Sequence, residues 1–204
     1  MSPTAEPAAS APAPGTAPDA AAALDALAEL ETVDGQSIAR YYRESFGQAW
    51  YDQDRNGCDT RNDILGRDLD DAVFKADTGG CKVLAGTLED PYTGEVVQFV
   101  SGPDTSARVQ IDHMVALSWA WRHGAEFWTD EQRTAFANDP DNLRATAGGV
   151  NQSKSDSGPS EWMPPAEAVR CDYARDVVAV LAEWELGIGD ADRWALEGVL
   201  VGCG

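Results

Sequence analysis

The chain holds two histidines, and one of them, His113, directly follows an acid in the run QIDHMVAL. Val109, Ile111 and their neighbours alternate as in a short strand, so Asp112 and His113 sit at a strand end with side chains on opposite faces. That geometry lets one side chain take a metal ion while its neighbour meets a substrate from another direction. Downstream, DPDNLRATAGGVNQSK supplies Asn142 and then Asn151, three residues before Lys154. Asp, His and Asn are the oxygen and nitrogen donors that suit Mg²⁺ or Mn²⁺. Histidine is also the side chain whose proton equilibrium lies nearest neutrality, which suits a general base. Each residue alone has a plainer reading. A histidine at a strand end is ordinarily structural, paired asparagines read as turns and caps, and Lys154 reads as a solvated charge. The combination carries the chemistry, not any member. His123, in WRHGAEFW, reads as structural, near a helix end.

A second stretch, DQDRNGCDTRND at residues 52–63, has the spacing of a calcium loop. Asp52, Asp54 and Asn56 alternate, Gly57 is sixth and Asp63 twelfth. Asp59 occupies the eighth place, where an apolar residue belongs, and Asp63 is shorter than the bidentate glutamate of a true hand. No second loop pairs with it. The favoured reading is a tight turn that opens a helix through TRNDIL, and a non-enzymatic extracellular calcium-binding module is the alternative.

The elements that must position these groups are mostly helices. Residues 20–33 are strong helix formers, with Leu24, Leu27 and Leu30 on one face. SIARYYRESFG predicts a helix capped by Ser37, and RNDILGRDLDDAVF another. CKVLAGTLED and EVVQFVSG read as strands joined at the PYTG turn, and ARVQIDHMVAL as a further strand ending near Asp112. SWAWRHGAEFW and TDEQRTAFAND return to helical spacing, the latter opened by a Thr129 to Gln132 capping box. NLRATAGG is short and extended. Pro164 and Pro165 precede a long helix through AEAVRCDYARDVVAVLAEWELG, and DADRWALEGVLVGC makes the last. The fold class is α+β: a mostly helical domain around a small antiparallel sheet. Residues 1–19 are Pro, Ala, Ser and Thr with few large apolar groups, so they read as a disordered tether. The domain boundary falls at 34: tether and short helix before it, one domain over 35–204 after it.

The formal charge of −20 argues against broad, unaided adhesion to nucleic acid. Between Arg108 and Lys154, however, five cations (Arg108, Arg122, Arg133, Arg144, Lys154) nearly balance six acids, so the surplus lies elsewhere. A locally neutral face is open to an anionic polymer. Cys58, Cys81, Cys171 and Cys203 form no CxxC spacing, and their even number fits two disulfides in any of three connectivities. Cys58–Cys81 and Cys171–Cys203 are expected, since each closes a modest loop within one region. Disulfides belong outside the cytoplasm, and no apolar run is long enough for a membrane span or a signal-peptide core.

The D-H pair at a strand end, the NL of Asn142 and Leu143, and the N-x-x-K of Asn151 and Lys154 resemble the HNH endonucleases, the His-Me finger or ββα-metal group. The blocks SFGQAWYDQDRNGCDTRNDILGRDL, DPYTG, IDHMVALSWAW, FANDPDNL and WMPP, in that order over about residues 37–204, resemble a branch of secreted bacterial HNH nucleases. The structural-zinc CxxC pairs common in the group are missing, and the interval from His113 to Asn142 is long. The resemblance implies a ββα-metal core at about 108–156. It implies a secreted endonuclease cutting DNA, with RNA a second candidate, at low sequence specificity. His113 would deprotonate water. Asp112 and Asn151 would hold one divalent ion, Mg²⁺ or Mn²⁺. Asn142 would fix the loop bearing the base and Lys154 would contact phosphate, with 3′-hydroxyl and 5′-phosphate ends as products. Arg61, on the rigid turn, is expected to reach the scissile phosphate. A nucleic-acid substrate is the one partner implied; no obligate protein partner is evident, and a monomer is expected. A catalytically inactive relative that only binds is the remaining alternative.

Overall fold

A computed structural model describes residues 19–203, so the expected tether at residues 1–19 lies outside the described residues except for Asp19. The fold is α+β, with seven α-helices and two small antiparallel sheets among the described residues. Helix α1 (Ala20–Glu29) begins at Asp19, whose carboxylate accepts the Ala22 N–H at 2.8 Å. It is no appendage: Ala23 and Leu27 are buried against α6 (Arg170–Glu183) and α7 (Asp190–Leu200) in the helical core. A boundary at residue 34 therefore cuts through packed structure.

The helix expected over residues 37–47 is absent but for a 3-10 turn at Arg43–Phe46. Tertiary partners take its backbone groups. The Ile38 and Ala39 N–H groups donate to the Glu126 carboxylate, and the Trp121 indole donates to the Ala39 carbonyl. Phe46, fully buried, locks the segment against Trp121 and Phe136.

Helix α2 (Thr60–Asp68) is capped by Asp59 and stops earlier than its apolar stripe implied, because DDAVF leaves it as strand β1 (Asp70–Phe74). Strands β1, β2 (Val83–Glu89) and β3 (Val96–Val100) form one antiparallel sheet in that order. Strands β4 (Val109–His113) and β5 (Leu143–Ala147) form the other, with Asp112 opposite Arg144 and His113 opposite Leu143. Between them lie α3 (Leu117–Arg122) and α4 (Asp130–Ala137), the latter with the expected Thr129–Gln132 capping box. Helix α5 (Gly148–Lys154) follows β5 directly and completes a ββα unit.

Two cores flank that unit. Ile64, Leu65, Val83, Phe99, Val109, Ile111 and Leu143 fill the space between α2, the larger sheet and one face of the hairpin. The helices pack the other core around Met114, Trp119, Val178, Leu181 and Leu196. Cys58–Cys81 ties the turn before α2 to the start of β2, and Cys171–Cys203 ties α6 to the end of the chain. Both are the expected pairs. Among the described residues no helix is long and apolar enough to cross a membrane.

Candidate functional site

Alternation along β4 splits the predicted residues between two faces of the hairpin. Val109 and Ile111 enter the apolar core with α2, and His113 shares their side of the strand. Gln110 and Asp112 face α5 instead. Helix α5 can lie this close because its first residue is Gly148: a Cβ there would stand 2.3 Å from the Ala107 carbonyl oxygen. On that face the Asn151 amide donates to Gln110 Oε1 at 2.9 Å.

One turn further along α5, Lys154 is 0 % exposed. Its ammonium donates to Asp112 Oδ1 at 3.0 Å and to the His113 carbonyl at 2.8 Å. The Tyr92 hydroxyl donates to the other oxygen, Asp112 Oδ2, at 2.7 Å. Asp112 itself is only 4 % exposed. Burial pushes its carboxyl above the usual range, against the pull of Lys154 and the two hydrogen bonds. Tyr92 arrives from the β2–β3 turn, which Asp90 organises. Asp90 is 1 % exposed and takes the Tyr92 and Thr93 N–H groups at one oxygen, Thr146 Oγ1 and the Ala147 N–H at the other. The DPYTG block thereby becomes part of the site.

His113 lies against Trp50, with ring centroids 6.5 Å apart and planes within 15°. Its Nε2 is 2.9 Å from the Ala137 carbonyl oxygen, at the end of α4. A carbonyl only accepts, so Nε2 carries the proton and Nδ1 keeps its lone pair. Burial above all lowers the imidazole's pKa to about 4, with Arg43 and Lys154 adding repulsion and the Ala137 bond opposing. The His113 imidazole is therefore neutral at physiological pH. Asn142, 0 % exposed, takes the Val115 N–H at 2.8 Å and donates to the Val115 carbonyl at 3.1 Å. Its own carbonyl accepts the Met114 N–H at 2.9 Å. It clamps the turn that ends β4 just after His113.

The resemblance implied a divalent ion on Asp112 and Asn151, and this arrangement does not fit one. Both Asp112 oxygens already accept hydrogen bonds, one of them from a buried ammonium, and Asn151 is joined to Gln110, not to Asp112. No group of three or more His, Cys, Asp or Glu able to hold a metal occurs among the described residues. The 52–63 turn is held by its own side chains, although Asp52 Oδ1 is buried without a hydrogen-bond partner. The Asn56 amide bridges Asp54 Oδ2 and Asp63 Oδ1 at 3.1 and 3.2 Å, and Asp52 Oδ2 accepts the Gly57 N–H.

Arg61 projects from α2 to the far end of β4, where its Nη2 donates to the Val109 carbonyl at 3.1 Å. His123 is buried, stacked on Trp119 at 3.5 Å between centroids and bonded to the Trp119 carbonyl, as a structural residue should be. Sequence reasoning singled out neither Tyr92, Arg43 nor Trp50. Only the blocks DPYTG and SFGQAW, which hold Tyr92 and Trp50, carried a signal, and Arg43 lies just before the second.

The model of the GmrSD restriction endonucleases, C-terminal domain, matches residues 59–195. A chain named "Uncharacterized secreted protein" from the fungus Arthroderma benhamiae is 34% identical over 194 residues, covering 94% of this chain and 90% of its own. That relative is fungal, so the comparisons do not carry the bacterial branch. No solved structure matches. The family model spans the α2 cap, both sheets, the ββα unit and most of the closing helices, and the chain belongs to the GmrSD restriction endonuclease C-terminal domain family.

Proposed function

We propose that the chain is a secreted endonuclease of the HNH type, hydrolysing phosphodiester bonds of DNA, and of RNA as a second substrate, with low sequence specificity. The observation that carries this reading is His113, neutral, with Nδ1 unprotonated, at the end of β4 in a ββα unit whose turn Asn142 clamps. His113 Nδ1 takes a proton from water as the water attacks phosphorus, and the P–O3′ bond breaks with the departing 3′ oxygen protonated by solvent water, leaving 3′-hydroxyl and 5′-phosphate ends. Arg43, whose charge helps hold the His113 pKa down, is the cation assigned in this reading to attract phosphate toward the ring. Lys154 does not reach phosphate in this reading. It neutralises Asp112 and fixes the His113 carbonyl, so that it positions the strand end that bears the base. Two disulfides favour an oxidising compartment, and the fungal relative is named as secreted.

The test is degradation of supercoiled plasmid and of a single-stranded RNA by wild type and His113→Ala, each with Mg²⁺, with Mn²⁺ and with EDTA. Cleavage lost in His113→Ala supports the assignment; an unchanged rate in that variant sinks it. The EDTA arm tests separately the divalent-ion dependence that the resemblance implies.

A further inference from the structure

Trp50 has a backbone φ of 58°, a left-handed conformation that a bulky side chain rarely adopts. Such strain persists only where the surroundings over-determine it, and it concentrates at working sites. Here it turns the indole to lie nearly parallel to His113. Trp50 also forms a wall of a cavity of about 310 Å³, the lower end of the size range for small-ligand sites. Arg61, Lys82, Asn62, Ser101 and Ser106 line the same cavity.

Its charged groups are two cations, Arg61 and Lys82, and one acid. Asp59 is the acid on the wall, and its carboxylate is already bonded to the Asn62 N–H at 2.9 Å and the Asn62 amide at 2.7 Å. Among the described residues, neither Lys82 nor Arg61 has a carboxylate within ion-pair distance. The Arg61 Nη2 is held by the Ser106 and Val109 carbonyls, which leaves the rest of the fork for a ligand. In a chain of net charge −20, a cavity with two cations and one pre-engaged acid is selective for anions.

Its position is equally specific. Arg61 is anchored at Val109 and His113 lies four residues on, which at the rise of a strand is about 13 Å. In this reading Arg61, anchored at the other end of β4, serves this cavity and not the phosphate at His113. Trp50 bridges the interval. An aromatic platform beside cations is the arrangement that holds single nucleotides without reading their sequence.

We propose that this cavity binds one nucleotide of the strand adjacent to the cleaved bond, its base stacked on Trp50 and its phosphate between Arg61 and Lys82. The assignment rests on the nuclease reading for the strand, but the site itself is testable without cleavage. Thymidine 5′-monophosphate, adenosine 5′-monophosphate and inorganic phosphate would each be titrated into the full chain in EDTA by calorimetry. Both nucleotides should bind more tightly than phosphate. Trp50→Asn, chosen because asparagine tolerates left-handed backbone, should weaken the nucleotides about tenfold and leave phosphate unchanged. Lys82→Gln, on an exposed residue whose replacement does not threaten folding, should weaken all three. Nucleotides that bind no better than phosphate, or binding unaltered by Lys82→Gln, would overturn the proposal. Nucleotide binding with these responses but no cleavage supports the cavity and defeats the nuclease reading alone. Cleavage with KM for short oligonucleotides unchanged in Trp50→Asn and Lys82→Gln defeats the cavity alone.

Discussion

Replacing Lys154 with methionine tests the centre of this structure. The ammonium is 0 % exposed and contacts Asp112 Oδ1 at 3.0 Å and the His113 carbonyl at 2.8 Å. Methionine fills much of the same volume but leaves the Asp112 carboxylate buried beside Tyr92 alone. Removing one member of a buried ion pair costs about 3–5 kcal/mol, because the remaining charge has neither water nor counter-ion. For a chain of this size that corresponds to a fall in Tm of roughly 6–20 °C. Urea unfolding followed by circular dichroism measures it. Asp112→Asn/Lys154→Met should recover part of the loss, since the uncompensated charge is gone, giving a coupling of about 2–3 kcal/mol in a double-mutant cycle. A Lys154→Met protein within about 1 kcal/mol of wild type, or a coupling near zero, would refute the reasoning, because the pair would then be solvated or absent.

Three further outcomes are expected. The folded pKa of His113, about 4, lies below its ordinary 6.5. Its contribution of about 3 kcal/mol is complete above pH 6.5 and is lost as pH falls towards 4. Denaturant unfolding from pH 7 to 4 should show this slope, flattened in His113→Gln; identical slopes would remove the burial argument. Asn142→Ala strands the N–H and C=O of Val115 and should cost about 2–4 kcal/mol, with kcat falling more than KM rises, since the clamp acts on the strand end and not on substrate. Equal stability of the variant and wild type would contradict it. Calorimetric titration with Mn²⁺ should show no binding to wild type that Asp112→Asn removes, because Lys154 and Tyr92 already hold that carboxylate; Asp112-dependent binding would restore the family expectation.

Much of the hairpin was legible in the chain because its signals are local. Apolar alternation marks β4 and β5, the Thr129 box marks α4, and a D-H pair followed by NL and N-x-x-K marks the ββα unit. The disulfide partners were legible because each pair lies within one contiguous region. The helix written into residues 37–47 failed for the opposite reason. Its propensity was overruled by Glu126, 88 and 87 residues away from the N–H groups it accepts, and by the burial of Phe46.

By itself the sequence marked His113, Asn142 and Lys154 as residues to be found together at one strand end, since their types and spacing follow one local pattern. Tertiary structure alone decided what each of them touches. Tyr92 lies 20 residues before Asp112 and Lys154 lies 42 after it, yet their hydrogen bonds close on one carboxylate. That closure turns an expected metal ligand into half of a buried ion pair. Which lone pairs of a carboxylate stay open depends on groups brought in by folding, and no local pattern around Asp112 records them.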